Sequence, residues 1–231
     1  MLSMDAATRT AVVTGVSSGI GQAIAQRLLD DGWRVVGLSR RAPDWSAPGF
    51  EHRAVDVARR PALLRALDGL APHALVHAAG VLRTGRLGEL DPDESAAMWQ
   101  LHVAAAEAMA QALVAAMPDG GRIVLIGSRT ASGSPARSQY AATKAALVAM
   151  ARSWAAELAP RGITVNVVAP AATLTPMLAD PARASVLPRL PPIGRYIQPQ
   201  EVAATVAFLL SDAAGAITGQ QIVICGGASL S

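Results

Sequence analysis

The sequence predicts an α/β fold: a seven-stranded parallel sheet, doubly wound, with helices on both faces. Two patterns carry that expectation. Short apolar runs recur along the chain and alternate with longer segments of helical period, the order expected of parallel strands buried on both sides. A glycine cluster, Gly15 to Gly21, separates the first apolar run from the first helical segment. The 231 residues suffice for one domain with a substantial core. No linker, repeat or low-complexity tail divides them, so residues 1–231 are read as one domain.

Taken in order, Thr10 to Thr14 reads as a short buried strand. After the glycines an amphipathic helix runs to about Asp31, where Gly32 stops it. Strands are expected at 34–39 and 51–57, a helix at 61–70, and a fourth strand at 74–79 ending at Gly80. Asp91-Pro92 supplies a cap and a first-turn proline for a helix to about Met117. The Pro-Asp-Gly-Gly turn at 118–121 leads into a fifth strand at 122–127. A helix at 138–158 ends before Gly162, and a sixth strand covers 164–169. Residues 171–197 read as irregular, with five prolines from Pro176 to Pro192, and 177–197 is expected to form a lid. A helix at 201–210 and a strand at 221–225 complete the chain.

Composition narrows the function. The hydrophobic fraction is 52% and the charged fraction 16%, richer in apolar residues than an average domain, so subunit interfaces are expected besides a core. The single cysteine, Cys225, rules out an intrachain disulfide and fits a reducing, cytoplasmic compartment. None of the four histidines has metal-ligand spacing, so no metal is expected. The net charge of +3 comes from scattered arginines rather than a basic stripe, which argues against nucleic acid. The N-terminal residues to Arg9 lack the apolar core of a signal peptide, and no apolar run is long enough to span a membrane.

The chemistry is expected around Tyr140 and Lys144. They are four apart in a helical segment, so both side chains leave one face. Lys144 is the only lysine among twenty basic residues, and Tyr140 one of two tyrosines. An adjacent cation favours the phenolate, which makes the pair a candidate acid/base unit near neutral pH. The alternative is an exposed pair with no role. The loop Thr14-Gly15-Val16-Ser17-Ser18-Gly19-Ile20-Gly21 lies between a strand and a helix. Glycines there let a backbone approach a pyrophosphate, and the helix end offers free N–H groups.

The GxxxGxG spacing together with YxxxK resembles the classical short-chain dehydrogenase/reductase family, over nearly the whole chain from Thr10 to Gly227. Further matches are Asp56-Val57, Ala78-Ala79-Gly80, Ile126-Gly127-Ser128, the run Asn166 to Pro170, Thr175-Pro176-Met177, Ile217 to Gln220 and Gly226-Gly227. The resemblance implies a Rossmann-type NAD(P)-binding oxidoreductase that interconverts a ketone and a secondary alcohol. It implies that Tyr140 is the general acid or base, that Lys144 lowers its pKa and bonds the nicotinamide ribose, and that Ser128 orients the substrate oxygen. It places the cofactor against Gly15, Ser17, Ser18, Gly19, Ile20 and Gly21, with Asp56 and Val57 at the adenine. Ala78, Ala79, Gly80, Tyr140 and Lys144 follow, and Pro170, Ala171, Thr173 and Thr175 belong to the loop over the nicotinamide.

The chain departs from the family pattern at several points. His102 stands where the family usually has Asn on the long helix; it either joins a proton relay as a catalytic group or is satisfied within the packing. His77-Ala78 replaces Asn-Asn, Ala171 a glycine, and Cys225 an aspartate. Ser128 lies twelve residues before Tyr140, one fewer than is usual, and could instead be only a strand-end cap. Substrate contacts are expected from Arg83, Arg129, Thr130 and Met177. Arg129 either meets an anion or is a solvated loop residue. The segment Ala79 to Gly85 resembles bacterial dihydrodihydroxybenzoate dehydrogenases, so the alternative activity is oxidation of a cyclic dihydrodiol. A non-enzyme alternative is a dinucleotide-binding regulator or scaffold, which would need no proton donor.

The second strand ends Ser39-Arg40-Arg41 with no carboxylate to hold ribose hydroxyls. Serine and arginine can instead hold a 2′-phosphate, so NADP is expected in preference to NAD, with NAD possible. The alternative is a solvated turn. A small carbonyl or alcohol is the expected partner. Helices 92–117 and 138–158 are apolar on more than one side, which predicts a homotetramer or at least a homodimer.

Overall fold

The computed structural model describes residues 8–179 and 189–230. Seven strands form one sheet: β1 (Thr10–Thr14), β2 (Arg34–Ser39), β3 (Phe50–Ala54), β4 (Ala74–His77), β5 (Arg122–Ile126), β6 (Thr164–Pro170) and β7 (Gln221–Ile224). The order is β3-β2-β1-β4-β5-β6-β7, and every pairing is parallel. Every residue of β4, β5 and β6 is buried, as a strand covered on both faces must be. The edge strands β3 and β7 are polar or half exposed.

Helices α1 (Gly19–Asp30) and α6 (Pro199–Leu210) cover one face, where Ile24, Leu28, Val202 and Val206 pack on Val13, Val76 and Val124. Helices α2 (Arg60–Leu67), α4 (Ala105–Leu113) and α5 (Ser138–Leu158) cover the other, where Leu63, Met109, Leu113 and Leu147 meet Val12, Leu75 and Ile123. Val12 and Val13 thus face opposite layers, as adjacent strand residues do. Each such side chain taken out of water contributes roughly 1.5–3 kcal/mol.

Two expectations need correction. The third strand is β3 at Phe50–Ala54 rather than 51–57; Val55 and Val57 still join the core. The helix expected at 92–117 is not continuous. α3 (Pro92–Trp99), capped by Asp91, gives way to a π-helical turn at Gln100–Ala104, and α4 ends at Leu113. The lid expected at 177–197 falls partly outside the described residues. Of its described part, Pro176–Ala179 forms one 3-10 turn.

The order of the strands reverses direction between β1 and β4. That switch point leaves a crevice at the carboxyl ends of the strands, where open sheets of this kind bind ligands.

Candidate active site

A cleft of about 670 Å³ lies at those strand ends. It is lined by Ile20 from α1, Ala78 and Gly80 after β4, Ser128 after β5, Tyr140 and Lys144 on α5, and Pro170 at the end of β6. Ala171, Thr173, Thr175 and Met177 close it from the loop after β6, and Arg129 and Thr130 from the loop after β5.

The start of α1 is built to receive an anion. Ser18 occupies the N-cap without a side-chain cap bond, and no acidic residue lies in the first turn. Gly21 lies against Gly15, and a Cβ there would lie 2.7 Å from the Thr14 carbonyl oxygen. Only glycine lets α1 start this close to β1. Thr14 Oγ1 accepts from the backbone N–H of Ala78 and Ala79, both at 2.9 Å, and ties the loop to the end of β4. The cradle fits a dinucleotide phosphate.

Lys144 is buried, and its Nζ donates to the Ile126 carbonyl at 2.8 Å. It lies 5.7 Å from the centre of the Tyr140 ring. Burial pushes the ammonium down from 10.5 to about 7. Three donors and one bond to protein leave Nζ two donors for a ligand. Ser128 is a strand-end cap and a pocket residue at once. Its Oγ accepts from Thr130 N at 3.2 Å and lies 2.9 Å from Thr130 Oγ1.

The structure gives His102 a different setting from a free relay. It is fully buried in the π-helical turn. Thr143 Oγ1 donates to the Tyr140 carbonyl, so it accepts from His102 Nδ1 at 2.8 Å. Nε2 then accepts from Val81 N at 3.1 Å. Burial first, then the Lys144 charge, holds the imidazole far below its ordinary pKa. Both nitrogens are engaged, as in the alternative of a histidine satisfied within the packing, and the ring lies edge to face with Tyr140. His77 is the opposite tautomer. Thr14 Oγ1 accepts two N–H groups and donates to Nδ1 at 3.1 Å, while Nε2 donates to the Leu101 carbonyl at 3.0 Å.

Two further expectations change. Ser39 Oγ donates to the Arg41 carbonyl at 2.7 Å and lies 3.0 Å from His52 Nε2. Its hydroxyl thus shapes the turn in which Arg40 and Arg41 lie. Arg83 does not line the cleft; its Nε pairs with Glu94 at 3.1 Å. Arg40 and Arg41 are exposed at the end of β2. Asp56 Oδ1 accepts from Ala58 N at 3.1 Å in the turn after β3, with Val57 buried beside it. Gly15, Ser17, Ser18, Gly19, Gly21 and Ala79 do not line the cleft; they lie in the loop into α1, its first turn and the turn after β4, next in sequence to Ile20, Ala78 and Gly80, which do.

Sequence reasoning did not single out Thr14, Thr143 or Ala228 as site residues. Thr14 and Thr143 sit inside the two motifs already read, which was the available signal. Ala228 lines the cleft but carries no chemistry that a sequence could reveal.

Residues 15–229 match the family described as enoyl-(acyl carrier protein) reductase. The chain is 34% identical to the 3-oxoacyl-[acyl-carrier-protein] reductase FabG of Salmonella typhimurium, over 95% of this chain and 96% of that one. A solved short chain dehydrogenase family protein from Francisella tularensis superposes with a TM-score of 0.89 at 26% identity, covering 97% of this chain and all of that one. A blue fluorescent protein from a metagenomic library, solved in complex with NADPH, gives a TM-score of 0.80 at 30% identity, covering 95% of this chain and 97% of the other.

Proposed function

The chain belongs to the short-chain dehydrogenase/reductase family, and from that premise we propose that it interconverts a ketone and a secondary alcohol with NADP, through Ser128, Tyr140 and Lys144. One observation carries the assignment of residues. The only lysine of the chain is buried beside Tyr140, in the cleft that Ser128 also lines.

The bound nicotinamide supplies the hydride to the substrate carbon, or takes it back. The protein does the rest. Ser128 holds the substrate oxygen, and Tyr140 gives that oxygen a proton in reduction and removes it in oxidation. Lys144 favours the phenolate by its charge. Its pKa of about 7 lets it exchange a proton near the working pH. His102 takes no proton; through Thr143 it holds the turn of α5 that carries Tyr140. The uncapped start of α1 would hold the pyrophosphate, and Arg40 and Arg41 would hold the 2′-phosphate. The enzyme is placed in the cytoplasm, which the single cysteine supports. Among the described residues no helix is long and apolar enough to cross a membrane.

The test follows the absorbance of reduced nicotinamide across a panel of carbonyls and alcohols. Turnover of at least one, faster with NADPH than with NADH at equal concentration, is expected. Cofactor binding without any turnover would replace this reading with the regulator.

A further inference from the structure

We propose that the substrate carries an anionic group, a carboxylate or phosphate, and that Arg129 receives it; the inference rests on the carbonyl/alcohol reading above. The described lining of the cleft holds Arg129, Arg137, Arg189 and Lys144 and no Asp or Glu. Elsewhere several arginines have carboxylate partners: Arg9 has Asp212, Arg53 has Glu51, Arg83 has Glu94 and Arg195 has Glu201.

The cofactor accounts for only part of that charge. On the reading above its phosphates would be held by the start of α1 and by Arg40 and Arg41, whereas Arg129 lies on the loop between β5 and α5, next to Ser128. The backbone of Arg129 is held in place. Ser128 caps the 3-10 turn at Arg129–Ser132, Ala131 N bonds the Ser128 carbonyl at 3.0 Å, and Ser132 Oγ bonds the Arg129 carbonyl at 3.3 Å. The guanidinium itself is half-buried and makes no hydrogen bond or ion pair with a described residue. The charge rises from a turn whose backbone is fixed, into a cleft that Leu82, Met177 and Leu190 also line, so its hydration is incomplete and a charge-assisted bond to an anion is favoured there.

Matched pairs test this: acetoacetate and methyl acetoacetate, levulinate and methyl levulinate, hydroxyacetone phosphate and hydroxyacetone. The readout is the ratio of kcat/KM for the charged member over the neutral one with NADPH, in the wild type, Arg129→Gln and Arg129→Lys. In at least one pair the wild type should favour the charged member about tenfold, Arg129→Gln should remove that preference, and Arg129→Lys should keep part of it. The carboxylate and phosphate pairs separate the two anions. Preference for the neutral member in all three pairs, or a ratio that Arg129→Gln leaves unchanged, overturns the proposal. If the wild type reduces none of the six, the carbonyl/alcohol reading has failed instead. Calorimetric binding of levulinate to the NADPH complex then decides: a Kd raised about tenfold by Arg129→Gln upholds the anion site, and absent or unchanged binding overturns it.

Discussion

Lys144 occupies a space that suits an ammonium and not a guanidinium. It is buried, bonded to the Ile126 carbonyl, and held down to about 7. Arginine there would need more room and could not release its proton. Lys144→Arg should therefore lower kcat by at least about 100-fold, measured in steady state with saturating cofactor. Near wild-type turnover would show the lysine to be incidental. At the end of β2, Ser39 Oγ bonds the Arg41 carbonyl and lies 3.0 Å from His52 Nε2, and we propose that discrimination between NADP and NAD falls to Arg40 and Arg41. Replacing both with leucine should move the ratio of kcat/KM for NADP over NAD toward NAD by about 10- to 100-fold. A ratio that does not move would mean that these arginines form only a solvated turn.

The elements were legible where local pattern decides them. β1, β2 and α5 have the bounds expected from their apolar runs and stop signals. The π-helical turn was not legible, because distant groups set it. The Leu101 carbonyl meets His77, and His102 meets Val81 and Thr143. The same holds for Ser39, whose partner His52 sits on the neighbouring strand. Ser128, Tyr140 and Lys144, expected together from their spacing and motifs, do line one cleft. The partners of Arg83 and His102 were not legible, because they come from other elements.

This buried network makes the element sensitive to acid. Burial, with a smaller effect from Lys144, lowers His77 from 6.5 to about 4. Between those values the unfolded chain binds a proton that the folded chain excludes, so stability rises with pH and is lost as pH falls. The loss due to His77 should be about 2 kcal/mol, read from urea unfolding at about pH 4.5 and about pH 7. His77→Gln should lose less over the same window, and an equal loss in both proteins would contradict this assignment.

At the scale of the molecule, the sheet brings residues from β1, β4, β5, β6 and α5 to one crevice, while two helix layers keep it rigid. The described chain also leaves large apolar side chains exposed: Trp99 at the end of α3, Phe208 on α6 and Val223 on β7. Apolar surface of this kind fits burial against another copy. We propose a homotetramer or at least a homodimer, and light scattering at micromolar concentration should give that mass; a monomer would contradict it. The central claim is that Tyr140 passes the proton to and from the substrate oxygen, with Lys144 tuning the phenol and the other cleft residues binding and orienting. Tyr140→Phe removes that proton and little else, so the direct measurement pairs kcat with the Kd for NADPH in this variant. The account predicts kcat reduced to below about 1% of wild type, with NADPH affinity within about threefold. Turnover within about tenfold of wild type, with the cofactor still bound, would contradict it.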